Sequence, residues 1–306
     1  MCQTGADSKA PLPVRIWVSL YNRQKSSAHL SVIPFSIYCS FYLFAWRVFL
    51  LRFLIYIGWP GMDKSTWFVA ENVPAIIHSA NLCPILYLLL RSQPYNPASK
   101  MSAHPQWWQD GANAMMEFCI GYMVYDGLSS LLYRNYVFTP GLFAIKIGAD
   151  LPFLGHHIAT VLYMYSCRRI QAGQMSTMIA MFLGEFTNPF QNAMLCLEAA
   201  IKQGDCCAGP LAIFLYPKVR FIFGFLYASI RIVIAPIFFA QISYTLLLTK
   251  EGRSNVNVKL GSLWVFLLWA VTIGAIPWMI ESVEIVYNGL FDKDGNFGLY
   301  LDHDEL

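Results

Sequence analysis

The chain has 306 residues, of which 57% are hydrophobic, 16% aromatic and only 13% charged. A soluble domain carries about a quarter charged residues, so the composition excludes a globular enzyme with one core and indicates an integral membrane protein. A formal net charge of +3, with no cluster of Lys and Arg among aromatics, excludes nucleic acid as a partner.

In chain order, residues 1–30 form a polar, mildly basic tail without the apolar run of a signal peptide. Seven apolar segments follow, near 31–57, 67–91, 111–133, 151–167, 173–201, 218–249 and 260–288. A bilayer-spanning helix needs about 20 residues, and backbone exposed to lipid must be hydrogen-bonded within its own segment. The expected fold is therefore an all-α integral membrane protein with about seven transmembrane helices, a multi-pass chain. Arg47 and Arg52 interrupt the first span, and it is expected to end early and continue along the interface; residues 31–66 hold this span and its linker. The eight cysteines fall mostly in apolar stretches, where they pack as small hydrophobes, and no CxxC pair suggests zinc. No metal site and no resident cofactor is expected.

Residues 291–306 form an acidic tail. Its "DKDGN" resembles the start of a calcium loop, but Phe297 stands where that loop requires Gly and His303 where it requires Glu. The last four residues, His303, Asp304, Glu305 and Leu306, spell an address read by a retrieval receptor in the lumen of the endoplasmic reticulum. A bulky extension after Leu306 is expected to move the protein out of the reticulum, which fluorescence microscopy would show; unchanged localisation would make the address silent. The excess of Lys and Arg on the side of the N-terminus favours a cytosolic N-terminus and a lumenal tail.

Five spans carry ionisable residues inside the apolar run: His78, Asp126, the pair His156 and His157, Glu185 and Arg231. Each is costly at mid-bilayer unless it faces a partner or a wet cavity, so together they imply a polar interior. Positions three, four and seven apart share a helix face. Glu71, His78 and Asn81 are expected to align on one face, as are Tyr122, Asp126, Ser129 and Tyr133, and Glu185, Asn188 and Asn192. Pro189 cannot donate to the carbonyl of Glu185 and loosens that turn. Tyr227 and Arg231 are one turn apart, with Pro236 beyond. Adjacent residues on a helix point about 100° apart, so the rings of His156 and His157 cannot bind one metal. One is expected to face an interior cavity with Thr160, the other to be held by a neighbouring helix. Catalytic candidates are His156, His157 and Glu185; His78, Asp126, Asn188, Asn192 and Arg231 are candidates for substrate contact. Structural roles compete for several of them: an interhelical hydrogen bond for His78, an ion pair between Asp126 and Arg231, helix glue for Asn188 and Asn192.

The order "ENVPAIIHSANLCPILYLLL", "GYMVYDGL", "FLGHHIATVLYMYS", "LGEFTNPFQN", "FLYASIRIVIAP" resembles the TLC-domain family, which includes TRAM proteins, Lag-type ceramide synthases and the TLCD group. The resemblance covers about residues 67–290. It implies a six-helix TLC bundle around a lipid-accessible cavity, preceded here by one extra span, in the endoplasmic reticulum membrane. For TRAM and ceramide synthases it also implies a last helix ending on the cytosolic side, opposite to the charge count. Ceramide synthases follow their His pair with a His-Asp-x-x-Asp run; here Gly184-Glu185-Phe186-Thr187-Asn188 stands in its place. The wording "GEFTNPFQN" is closer to the TLCD group. The leading expectation is a protein of membrane lipid homeostasis whose partners are membrane lipids or fatty acyl chains. An acyl-CoA-dependent N-acyltransferase, with acyl-CoA as co-substrate, and a non-enzymatic translocation partner or cargo escort are the alternatives.

Overall fold

A computed structural model describes residues 10–27, 33–60, 64–138, 150–204, 207 and 209–291. The acidic tail, with its calcium-like loop and its last four residues, lies outside the described residues. The regular structure of the described residues is helical, apart from one isolated antiparallel bridge between Lys100 and Ala172.

The tail expected to be merely polar contains a helix, α1 (Leu12–Ser26). Its polar composition hides a narrow apolar stripe at Val14, Trp17, Val18 and Tyr21, the i, i+3, i+4, i+7 spacing of one helix face. That stripe packs into the main core, with the Trp17 ring 4.6 Å from Phe118. Helix α2 (Phe35–Tyr56) runs unbroken past Arg47, contrary to the expected early end. Arg47 is only 2% exposed because it turns toward α3 (Lys64–Arg91) rather than lipid. Its guanidinium lies 4.0 Å from Glu71 and over the Trp67 ring at 5.5 Å. Opposite charges meeting across two helices remove the cost that an unpaired Arg would carry in lipid. The outward side of α2 presents Phe41, Phe49 and Phe53, all exposed, as suits contact with acyl chains.

Helix α4 (Gln106–Phe138) meets α2 at Gly121. A Cβ there would sit 2.4 Å from the Ser36 carbonyl oxygen, and Ser40 Oγ donates to the Gly121 carbonyl at 2.7 Å. Gly121→Ala is therefore expected to destabilise the fold by about 1–3 kcal/mol through overpacking. Gly127→Ala on the same helix, with nothing within 4 Å of its Cβ position, is expected to be neutral or mildly stabilising. Thermal melts of the two variants in detergent would check the contrast. Glu117 accepts from the Ser36 amide at 2.9 Å, satisfying a free N–H at the start of α2, and pairs with Arg168 of α5 (Asp150–Ile170).

The fifth apolar segment is not one helix. It breaks after Glu185 into α6 (Gln174–Glu185) and α7 (Asn188–Lys202), with Pro189 in the first turn of α7, where its missing N–H costs nothing. The sixth segment is a helical rod from Pro210 to Leu248: α8 (Pro210–Ala228), a π-helical segment at Ser229–Ile234, and α9 (Ala235–Leu248). At 39 residues it is longer than the ~30 Å hydrocarbon core requires. Pro236 follows closely and cannot donate to the carbonyl of Ile232, which favours the altered bonding pattern there. The short α10 (Lys250–Asn255) leads to α11 (Val258–Gly274) and α12 (Ile276–Phe291), bent by 44° at Ala275. By length and composition three helices can cross a membrane, α2, α3 and the rod, or four if α11 and α12 form one bent span. Buried polar groups lie on both sets of helices, among them Arg47 on α2, His78 and Ser79 on α3, Asp126 on α4, His157 on α5 and Glu185 on α6.

One end of the bundle is tied by backbone pairing. Met101 N–H donates to the Gln171 carbonyl at 2.8 Å, Gly173 N–H to that of Ser99 at 3.0 Å, and Asn255 Nδ2 to that of Ala98 at 3.1 Å. Gly173 has φ +80°, and Trp264 fills the space beside it, so only glycine fits this turn into α6. The six described free cysteines include four that are buried, as expected of small hydrophobes.

Candidate functional site

The two histidines on α5 diverge as consecutive helical residues must: their rings are 5.6 Å apart and nearly perpendicular, at 88°. His157 is buried against α4, with Nε2 3.0 Å from Asp126 Oδ2. His156 turns to a cavity between α5, the α6–α7 break, the π-helical segment and α11. Thr160 lines a narrower pocket that adjoins this cavity and returns its hydroxyl to the His156 carbonyl at 2.8 Å.

Glu185 ends α6 where the helix breaks, and two donors, from α3 and from the start of α7, meet one of its oxygens with His78 beside them. Ser79 Oγ donates to Oε2 at 2.9 Å, Asn188 Nδ2 donates to it at 2.8 Å, and His78 Nδ1 lies 3.4 Å away. Charge-assisted bonds of this kind offset the cost of placing a carboxylate in a bundle that is 5% exposed here. The other oxygen, Oε1, makes no hydrogen bond among the described residues. His78 is fully buried and stacks on Tyr122, with centroids 4.0 Å apart and planes at 11°; its Nε2 has no partner among the described residues.

Arg231 stands on the π-helical segment. Its Nη2 donates to the Gly184 carbonyl at 2.7 Å, its guanidinium lies over the Tyr227 ring at 5.4 Å, and its Nε is buried without a partner. The wider bonding of a π turn shifts the side-chain register, a device common at functional sites. Arg231 pairs with no carboxylate among the described residues; Asp126, its possible partner by sequence, is taken by His157.

His156, Glu185, Asn188 and Arg231 thus share one cavity of about 510 Å³, together with Gln191, Tyr227 and the apolar side chains of Leu267 and Val271. A narrower pocket of about 70 Å³, reaching Tyr163, Met164, Thr177 and Phe239, shares His156, Glu185 and Arg231 with it. The wall meets the outer surface at Gly155, Gly274 and Trp278, all exposed.

The remaining candidates lie elsewhere. His78, His157 and Asp126 form a layer behind the wall, where they hold other side chains. Asn192 Nδ2 donates to the Asn188 carbonyl at 2.7 Å, one turn farther along α7, and does not reach the cavity. The alignment of Glu71, His78 and Asn81 separates into three environments: Glu71 faces Arg47, His78 is buried, and Asn81 is exposed. Ser79 and Gln191 were missed: Ser79 adjoins His78, and Gln191 follows Asn188 by three positions, a spacing that could have revealed it.

A model of the TLC domain matches residues 68–284. The chain belongs to the TLC-domain family. It is similar to a TLC domain-containing protein of Arabidopsis thaliana, 23% identical over 243 residues, covering 79% of this chain and 82% of that protein. No solved structure matches it. Every residue of the TLC cavity wall falls within the matched range, and α1 and α2 precede it. Asn188, in the place of the last Asp of the ceramide-synthase pattern, donates to Glu185. An ionised Asp in that position could not donate, and it would set two like charges side by side.

Proposed function

We propose that this TLC-domain protein acts in lipid homeostasis of the endoplasmic reticulum membrane, as a multi-pass protein that admits a membrane lipid to the cavity. The acyl portion would lie against Leu267, Leu268, Val271 and Phe239, and the polar end would meet His156, Glu185 and Arg231. One observation carries this reading: three ionisable side chains from three separate elements converge on one part of a largely apolar cavity that reaches the outer surface of the bundle. Such groups within a membrane bundle mark substrate paths. The placement in the reticulum rests on the retrieval-type residues His303 to Leu306. Lipids extracted from the purified protein and from Gly274→Leu test it. A Cβ at Gly274 meets open space, so the variant should fold while its side chain obstructs the cavity where it meets the outer surface. Bound lipid should fall several-fold in the variant; equal lipid in both would place the lipid on the outer surface.

A second reading is favoured by His156, whose ring makes no hydrogen bond among the described residues and so is free to take a proton. An amine would attack the carbonyl carbon of an acyl-CoA thioester while His156 takes the amine proton. The C–S bond then breaks, and His156 returns the proton to the departing thiolate. Labelled long-chain acyl-CoA with a pool of amine acceptors, read by mass spectrometry, tests it. A new amide that vanishes in His156→Ala supports the transferase, and no product leaves lipid binding alone.

A further inference from the structure

We infer that the polar end of the cavity is built for a zwitterionic amphiphile, one bearing a primary ammonium and a phosphate separated by a short linker. The inference rests on reading the cavity as a lipid site and names the headgroup it takes.

The cavity contains one fixed cation and one carboxylate that do not neutralise each other. The Arg231 guanidinium is oriented by the Gly184 carbonyl at 2.7 Å, while its Nε is buried and unpartnered. Glu185, the next residue after Gly184, is held through Oε2 alone by Ser79, Asn188 and His78. Its side chain leaves the helix about 100° from that of residue 184, so anchoring one group at Gly184 keeps the two charges beside each other and apart. The donors on Oε2 offset part of the cost of the carboxylate and the Gly184 carbonyl part of that of the guanidinium; a ligand that supplies both counter-charges offsets the rest. A purely anionic ligand would leave Glu185 with neutral donors alone, and an amine without a phosphate would leave Arg231 with a neutral acceptor alone.

The acceptors also select the kind of ammonium. Glu185, the His156 ring and the side-chain carbonyls of Asn188 and Gln191, all of the cavity wall, have the capacity to accept hydrogen bonds. A primary ammonium donates three, whereas a quaternary one donates none. The planar fork of Arg231 suits phosphate oxygens. The ligand class is thus a phosphoethanolamine-type lipid or a phosphorylated long-chain amino alcohol.

Native mass spectrometry of the purified full-length protein, offered five lipids at equal concentration, tests this. The probes are phosphatidylethanolamine, sphinganine 1-phosphate, phosphatidylcholine, phosphatidic acid and diacylglycerol. One of the first two should bind about tenfold more tightly than the last three, the discrimination expected of one or two charged hydrogen bonds, and which of them does so identifies the source. Glu185→Gln should erase the preference over phosphatidic acid, and Arg231→Gln that over diacylglycerol; thermal melts confirm that both variants fold. The wild-type ranking alone decides if either does not. Equal binding of all five lipids overturns the headgroup inference and leaves the lipid cavity standing. Binding of none overturns both.

Discussion

Glu185→Ala is expected to lower stability by about 3–5 kcal/mol and to abolish lipid retention. The carboxylate is the shared acceptor for Ser79 and Asn188 and the neighbour of His78 Nδ1, and His78 Nε2 is already without a partner. Removing it leaves the buried His78 and Ser79 of α3 and the half-buried Asn188 of α7 facing a void. It also releases the turn at which α6 gives way to α7. Glu185→Gln keeps the shape and can still accept from Ser79, so its loss of stability should be smaller, while the loss of charge in the cavity is complete. Asn192→Ala, which touches only the Asn188 carbonyl, should leave lipid retention intact. Thermal melts and lipid extraction on the three variants separate these effects. Equal, negligible losses for Glu185 and Asn192 would remove Glu185 from the site.

The two histidines are expected to fail in opposite ways. His157→Ala strips Asp126 of its partner and leaves a buried carboxylate between α4 and α5, at a cost of about 3–5 kcal/mol. His156→Ala removes a ring that holds nothing else in place, so the melt should move little, by less than about 1 kcal/mol, while any chemistry or headgroup selection at the cavity is lost. Asp126→Asn should behave as a milder His157→Ala. If His156→Ala melted as early as His157→Ala, the division of labour between the rings would be wrong.

What the sequence could reveal follows from how each residue finds its partner. The hundred-degree step between neighbours was enough to say that one ring of the pair faces a cavity and the other a helix, because that depends on one helix alone. Pro189 marked the loosened turn at Glu185 for the same local reason. Partners across helices were out of reach: nothing in the spacing of Arg47 says that Glu71 and Trp67 await it on α3, and its charge therefore read as an end to the span. An ion pair between Asp126 and Arg231 is, by sequence, one of two alternatives, the other being substrate contact; the two residues instead make separate contacts, with His157 and with the Gly184 carbonyl. Helix α1 was hidden because four apolar residues in a polar stretch weigh little in composition, although their spacing defines a face. The π-helical segment under Arg231 has only Pro236 as a local signal.

The most direct test is photocrosslinking with a membrane lipid that carries a diazirine midway along its acyl chain, followed by peptide mapping on the full-length protein in lipid nanodiscs. A lipid seated with its polar end at His156, Glu185 and Arg231 should label α5 around Ala159 to Met164 and α11 around Leu267 to Val271, and Gly274→Leu should remove that label. Labelling confined to the outward rings of α2, at Phe41, Phe49 and Phe53, and unchanged in the variant, would contradict the account.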